Sequence, residues 1–336
     1  MNAKQPPLHE WHLAQRRQGE ILLSIIITSY NQRKFLDLKE LIESIIIQGD
    51  LNSIELLMII EHDITLYEHL KNFMSIHGSV DFRLLFFEQL SGMSEARNIG
   101  AQVASGEYLA FLDDDVVLNQ GWLVAFLSSA KQDWIVFTGP SDPLWIDHEL
   151  SWVPLELSWI IGSTRWFQSS QIVSIRNAWG NNMVVHRKEF LEIGGFSRMF
   201  GLNNASRRKW VDPPSEDVDL SLRLRIKYGK MVTYVPALSV KHKVSARKMS
   251  WKFVIQRAYS VGYQRFMMKK IYPSIPETLS PERDVVERMI LLWPKTISRF
   301  FRSPKNAMSA LTILFLVSLF SIMGYYDRRP YSHQTN

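Results

Sequence analysis

Cysteine is missing from all 336 residues, and its absence excludes disulfide staples, thiolate-bound metals and a thiol nucleophile together. Any metal must therefore sit on oxygen or imidazole. The opening stretch, MNAKQPPLHEWHLAQRRQGE, lacks the apolar run of a secretory leader, so export by that route is not expected. Internal repeats and low-complexity tracts are lacking too, which removes solenoid and biased-tail architectures. Charge is not heavily of one sign either. The formal net charge is only +6, yet Lys241, Lys243, Arg247, Lys248 and Lys252 crowd the later part of the chain. Such a run is either a solvated basic face or a surface for an anionic partner: phosphate, nucleic acid or lipid.

What is present is ample core material. With 46% hydrophobic and 21% charged residues, the composition is that of a folded protein. The length suits one large α/β domain with appendages better than two independent domains. From Ile21 short apolar strands alternate with amphipathic helices. ILLSIIIT, Ile21 to Thr28, is apolar on both faces, as a strand covered by helices on either side must be. SYNQRK leads into a helix whose Phe35, Leu38, Leu41, Ile42, Ile45 and Ile46 recur at helical spacing. Further strands are expected at Glu55 to Ile60, Phe82 to Phe87 and Tyr108 to Leu112, with a helix from Ser94 to Ala104 before the last of these. That alternation implies right-handed crossovers and a mostly parallel, Rossmann-like sheet, whose ligands sit beyond the carboxyl ends of its strands.

Beyond Pro140 the chain is Trp-rich, and Ser141 to Ile175 carries no clear pattern. Regularity returns with a strand at Asn182 to His186, a short helix over Lys188 to Ile193, a helix over Glu216 to Tyr228 and a strand at Met231 to Val235. Ala307 to Tyr326 holds no charge over a length that could cross a bilayer, but Ser309, Thr312, Ser318 and Ser321 dilute it. It reads as a membrane helix or as a buried terminal helix. Asp284 to Arg302 mixes aliphatic and aromatic residues with Arg and Lys, as suits a headgroup layer. The expected organisation is an extension over 1–20, a catalytic domain over 21–245, a basic amphipathic region over 246–305 and a membrane helix with a short tail over 306–336.

Four features could carry chemistry. Asp113, Asp114 and Asp115 follow the buried run YLAFL, and three adjacent carboxylates repel one another unless solvent or a cation screens them. Alone the triplet could be an exposed acidic turn; at the carboxyl edge of a strand it points to Mg2+ or Mn2+. Pro213-Pro214-Ser215-Glu216-Asp217 opens a helix. Its acids suit the helix dipole, and taken alone capping explains them, although one carboxylate could also act as a general base. Arg97 lies near a helix start, where it could face phosphate or simply be a surface arginine. His242 alone is more readily structural than a ligand.

Taken in order, Thr28-Ser29-Tyr30-Asn31, Ser94-Glu95-Ala96-Arg97-Asn98-Ile99-Gly100 and Gly106 to Asp115 are joined by Gly180-Asn181-Asn182-Met183, Gly194-Gly195-Phe196 and Ser215-Glu216-Asp217. Together they resemble the family 2 glycosyltransferases of the GT-A fold, over roughly Leu23 to His242. The resemblance implies a metal-dependent transfer of one sugar from a nucleotide sugar, with Mg2+ or Mn2+ as cofactor. Thr28, Tyr30 and Arg97 would bind the nucleotide, Asp115, with Asp113, the metal, and Asp114 the ribose or sugar. Asp217 would be the catalytic base with Glu216 beside it, and His242 a further metal ligand.

One departure is Glu61-His62-Asp63, where relatives carry an Asp pair after the second strand; Glu61 could still accept from a uracil N–H. The Gln-x-x-Arg-Trp element of processive relatives is not found, which favours a single addition. The Trp-rich middle and Gly180-Asn181-Asn182-Met183 are similar to family members that extend sugar-charged dolichyl phosphate, glucuronosyltransferases among them. A polyprenyl- or dolichyl-phosphate-linked acceptor, a place at the cell membrane with the catalytic domain cytoplasmic, and no nucleic-acid partner follow as expectations. Two other classes stay on the table: a nucleotidyltransferase, although Thr28 to Arg33 lacks the glycine-rich phosphate loop such enzymes carry, and a membrane-anchored binding protein without catalysis.

Overall fold

The computed structural model describes residues 7–13, 20–77, 80–89, 92–146, 155–167, 169–197, 215–275 and 304–327. Its strands are β1 (His9–Leu13), β2 (Leu23–Ser29), β3 (Ile54–Glu61), β4 (Asp81–Phe87), β5 (Tyr108–Leu112), β6 (Val116–Leu118), β7 (Val136–Thr138), β8 (Ser141–Trp145), β9 (Val173–Ile175), β10 (Asn182–His186), β11 (Val232–Tyr234) and β12 (Val240–Val244). Its helices are α1 (Phe35–Ile46), α2 (Ile64–His77), α3 (Met93–Val103), α4 (Trp122–Ser129), α5 (Arg187–Glu192), α6 (Glu216–Tyr228), α7 (Trp251–Ile271) and α8 (Pro304–Tyr326). The chain divides into two compact units. The first comprises Met1–Gly139, Gln171–Asn203 and Glu216–Lys241, the second Pro140–Ser170, Asn204–Ser215 and His242–Asn336.

The first unit is built on a nine-stranded sheet in the order β1-β4-β3-β2-β5-β10-β7-β11-β9. Strands β4, β3, β2 and β5 run parallel, as the βαβ alternation predicts. Alternate residues of β2 then serve two cores. Ile25 and Ile27 pack with Leu38, Leu41 and Ile42 of α1, while Ile26 packs on the opposite face with Ala96 and Ala101 of α3. Burying each such aliphatic side chain contributes roughly 1.5–3 kcal/mol. Gly100 shows why the α3 motif ends in glycine: a Cβ there would lie 2.7 Å from Ile26 Cγ2.

The expected mostly parallel sheet is in fact mixed. β10 lies antiparallel to both β5 and β7, β9 is antiparallel to β11, and β1 is antiparallel to β4. The long first strands are buried on both faces and announce themselves by composition. The added strands are short, and β1, with exposed His9, Glu10 and His12, reads as polar because it closes a sheet edge. It lies within the stretch expected to be an extension.

In the second unit α7 and α8 pack closely side by side and run in the same direction, with their apolar residues meeting. Val254 and Ala258 of α7 pack with Ile313, Leu314 and Val317 of α8 and with Leu157 and Ile160. The backbones touch: a Cβ on Gly262 would sit 1.9 Å from the Ser321 carbonyl oxygen, and one on Gly324 2.0 Å from that of Tyr259. The run expected to cross a bilayer is thus helical within α8, but no described helix is long and apolar enough to cross a membrane. Thr312 and Ser321 dilute it, and one face is occupied by α7. The interfacial stretch expected over Asp284 to Arg302 lies outside the described residues.

Candidate active site

Because β2, β3 and β5 are parallel, their carboxyl ends share one rim, and the polar residues expected to act are placed there by topology. Asp113 to Asp115 form the turn from β5 into β6, where Val116 N–H donates to the Asp113 carbonyl at 3.4 Å. The strand is fully buried up to Leu112, so the three carboxylates emerge where the sheet ends. They do not diverge into solvent; each is held by a different partner.

Asp113 is held by Arg97. That guanidinium, 2% exposed, donates to Asp113 Oδ1 at 2.7 Å, to the Gly180 carbonyl at 3.0 Å and to Glu216 Oε1 at 3.2 Å. It also lies 5.4 Å from the Phe196 ring centroid. One arginine therefore joins β5, the turn before β10 and the start of α6. The sequence shows Arg97 as a residue able to face phosphate; its described partners are carboxylates and a carbonyl. Next to it, the Asn98 side chain donates to the Phe196 carbonyl and accepts from the Phe196 N–H, both at 2.8 Å. Motifs far apart in sequence are thus mutually bonded.

Glu216 is almost wholly buried. Burial, reinforced by the charge of Asp217, pushes its carboxyl up to about 7 against the opposing pull of Arg97, and its Oε2 has no hydrogen-bond partner among the described residues. Asp217 is half-buried in the first turn of α6. Its Oδ2 accepts from the Gly180 N–H at 3.2 Å and its Oδ1 from the Val218 N–H at 2.7 Å. Glu216 is therefore turned inward to Arg97, while Asp217 keeps a partly accessible carboxylate. Pro213 and Pro214, which precede them, lie outside the described residues.

Asp114 and Asp115 are held from the other side. Ser29 at the end of β2 donates to Asp114 Oδ2 at 2.6 Å. Lys34, just before α1, places its ammonium 3.0 Å from Asp115 Oδ2, 3.3 Å from Asp114 Oδ1 and 3.5 Å from Asp37 Oδ2. Burial pushes Asp114 up to about 6, with Lys34 opposing and Asp115 adding to the rise. Burial works against the Lys34 ammonium as well, but Asp114, Asp115 and Asp37 together outweigh it and hold its pKa above the ordinary lysine range. In the sequence Lys34 carries no assigned role and Ser29 only a place within Thr28-Ser29-Tyr30-Asn31, although both lie in SYNQRK.

Of the nucleotide residues expected, Thr28 is half-buried near the end of β2 and Tyr30, just past it, is 62% exposed. Glu61, the last residue of β3, is buried, with its Oε1 2.9 Å from His62 Nε2. His62 takes a left-handed φ of 66°. Asp63 ties two loops by accepting from the Gln32 N–H at 2.7 Å and from the Leu66 N–H at 3.0 Å, where it caps α2. Asp63 thus has a structural task in the motif that departs from the family pattern.

His242 belongs to the second unit, on β12, and is 6% exposed. Its Nδ1 lies 3.2 Å from the Gly162 carbonyl, so this nitrogen carries the proton and Nε2 accepts from the Lys248 ammonium at 2.9 Å. Both Asp115 and His242 Nε2, expected as metal ligands, therefore already face a cation, each a lysine of its own unit. Carboxylate oxygen is the donor type that suits Mg2+ or Mn2+, and imidazole nitrogen is a ligand for several transition metals.

Comparison with known proteins bears on family and fold. A family model described as glycosyl transferase family 2 matches residues 24–191. Glucosyl-dolichyl phosphate glucuronosyltransferase of Haloferax volcanii is 22% identical over 254 residues, covering 75% of this chain and 78% of that protein. Among solved structures, mannosyltransferase PcManGT from Pyrobaculum calidifontis, in complex with GDP-Man and Mn2+, has a TM-score of 0.60 at 13% identity, covering 97% of this chain and 92% of that one. GalNAc-T7 with UDP, GalNAc and Mn2+ has a TM-score of 0.51 at 16% identity. There the match covers 81% of this chain but only 55% of that chain's length. At such identities the two structures establish a shared fold.

Proposed function

Because the chain belongs to glycosyl transferase family 2, we propose that it transfers one sugar, with inversion, from a uridine nucleotide sugar to a hydroxyl of a lipid-linked saccharide. The transferase class itself follows from the family. The observation that carries the finer reading is the Arg97-centred array, which binds Asp113 to Glu216 and brings the Gly180 backbone against both Arg97 and Asp217. It ties the acidic rim of β5 to Asp217, whose half-buried carboxylate is the group proposed for proton abstraction.

In the single displacement proposed, Asp217 takes the proton from the acceptor hydroxyl. The acceptor oxygen forms its bond to the anomeric carbon as the bond to the nucleoside diphosphate breaks on the opposite face. Glu216 stays inside, fixing Arg97 and so the spacing of Asp113 and Asp217. Thr28 and Tyr30 line the nucleotide pocket, with Arg97 fixing its floor, Glu61 accepts from the uracil N–H, and Asp114 lies nearest the ribose or sugar. Asp115, Asp113 and His242 are the residues to hold Mg2+ or Mn2+, with Lys34 and Lys248 giving way. A bound divalent cation supplies positive charge against the departing diphosphate. Support for a polyprenyl- or dolichyl-phosphate-linked acceptor, and with it for membrane association, comes from the name of the Haloferax relative.

The test is a panel of nucleotide sugars offered to the purified protein with a lipid-phosphate-linked acceptor, with and without chelator. Release of UDP with label passing to the lipid phase, both stopped by chelation, is the expected outcome. Pyrophosphate release would instead make the protein a nucleotidyltransferase, and label found only in soluble glycan would remove the lipid acceptor.

A further inference from the structure

The second unit carries a surface that sugar transfer does not explain. On α8 the residues turned away from α7 include Met308, Phe315, Leu319, Ile322, Met323 and Tyr326, each between 39% and 66% exposed. At about 100° per residue these positions fall within one arc of the helix, opposite Ile313, Leu314 and Val317, which are buried against α7. Thr312 lies on the same arc, but its hydroxyl donates back to the Met308 carbonyl at 2.9 Å, which satisfies its one donor within the helix. No charged side chain interrupts the run from Ala307 to Tyr326. An uncharged exposed helix face of this length is unusual on a surface that meets only water.

The ends of both helices add the complementary chemistry. Phe266, Lys269 and Lys270 of α7 with Tyr325 and Tyr326 of α8 line a recess of about 410 Å³. Phe266 and Tyr325 meet edge to face with centroids 6.2 Å apart, and both lysines are exposed. Aromatic rings beside ammonium groups suit the boundary where acyl chains give way to phosphate. Since no described helix is long and apolar enough to cross a membrane, an apolar stripe ending in cations and tyrosines suits a helix lying in the interface.

We infer that the α7–α8 pair docks in the plane of a bilayer containing anionic phospholipid, with the α8 stripe entering the acyl boundary and Lys269 and Lys270 meeting the headgroup phosphates. The purpose of this docking rests on the proposed lipid-linked acceptor, which it would bring within reach of a protein that does not span the membrane through these helices.

The experiment is cosedimentation of the full chain with vesicles of phosphatidylcholine, with and without phosphatidylglycerol. Wild-type protein is expected to pellet with the anionic vesicles and to be released by salt in part only, because the stripe is not screened. The double variant Lys269→Glu with Lys270→Glu should lose roughly tenfold or more of its partition onto anionic vesicles. Phe315→Ser with Ile322→Ser should lose roughly thirtyfold on the same vesicles. All four positions are on the surface, and unchanged thermal unfolding of each variant confirms the fold. Binding that neither variant weakens, or no binding at all, overturns the inference. So does a lipid-free dimer that Phe315→Ser with Ile322→Ser dissociates, since the face then belongs to a second copy. UDP release with the lipid-linked acceptor is read in parallel: loss of vesicle binding with turnover intact removes the docking surface alone, whereas a wild-type protein that binds vesicles but releases no UDP removes the proposed donor and acceptor alone.

Discussion

The acidic rim of the first unit and the helix pair of the second are held in opposite ways. At the rim, Asp113, Asp114, Asp115, Glu216 and Asp217 crowd together, and each is fixed by a named donor: Arg97, Ser29, Lys34 or a backbone N–H. In the helix pair the contact is apolar side chains and bare backbone at Gly262 and Gly324. A polar array assigns each carboxylate a position and a partner, which chemistry requires. A backbone-to-backbone seam assigns only a shape, which suffices for a platform. Substitutions at the rim should therefore change reactivity or charge more than fold, and substitutions in the seam should do the reverse.

The largest expected effect is at the rim. Asp115→Ala should cut turnover roughly a thousandfold, ~4 kcal/mol of barrier, by removing the carboxylate proposed to hold the metal at the leaving group. The same variant should unfold at nearly the wild-type temperature, because Lys34 keeps Asp114 and Asp37 as partners when Asp115 is removed. UDP release and a thermal melt read the two sides. A variant that melts early would erase the contrast, since the rim would then be holding the fold as well.

Arg97 is the exception that sharpens it. Replacing Arg97 by Met leaves Glu216 buried and Asp113 without its closest partner, and should cost about 3–5 kcal/mol in denaturant unfolding. Glu216→Gln in the same background should restore much of that, because the amide carries no charge to strand. The charge state of Glu216 gives a second reading. Its pKa in the folded protein, about 7, lies above the ordinary 4.5. The fold favours the protonated form, so this contribution is full below pH 4.5 and is lost as pH rises through 7. Glu216→Gln should flatten that decline, by up to ~3 kcal/mol across the window. A Glu216 contribution that instead stays level with pH over this range would mean that Arg97 dominates and Glu216 is ionised throughout.

In the seam, Gly262→Val should cost ~2–3 kcal/mol, because the new side chain meets the Ser321 carbonyl rather than a side chain that can turn away. Proteolysis should then open α7 and α8 first, while UDP release with a water-soluble acceptor stays near wild type. Turnover that falls with the seam would show the helix pair to be part of the catalytic machinery.

Legibility in the sequence follows the same division. The long strands β2, β3 and β5 and the helices α1 and α3 are evident because burial on two faces, or on one stripe, forces a periodic pattern. The acidic triplet is legible because like charges at the end of a buried run need a cause. What the sequence withholds is pairing across distance: that Arg97 meets Glu216, 119 residues away, or that Asn98 bonds Phe196, has no local signature. β1 and β9 are hidden for the same reason, since a short edge strand takes its stability from the neighbour rather than from its own composition. In the second unit the uncharged run of α8 is plain, but whether it spans a bilayer, lies on one or packs on protein depends on which face α7 covers.

The smallest effect tests the two units against each other. Lys34 stands 3.0 Å from Asp115 and Lys248 stands 2.9 Å from His242 Nε2, so each proposed ligand must shed an ammonium before it can bind a divalent ion. Removing the competitor without touching the ligand should tighten metal binding. Lys34→Met should do so by roughly tenfold in a Mn2+ titration without donor, the interaction of partly solvated charges at this separation. Lys248→Met should tighten it by a factor of roughly two to five, because His242 is neutral and the lysine there competes through a hydrogen bond rather than an ion pair. If Lys34→Met tightens binding and Lys248→Met leaves it unchanged, the metal is held by the first unit alone and His242 is structural. If both tighten it, each unit contributes a ligand, and Mn2+ should then raise the unfolding temperature of both variants above that of the wild-type protein at equal metal concentration.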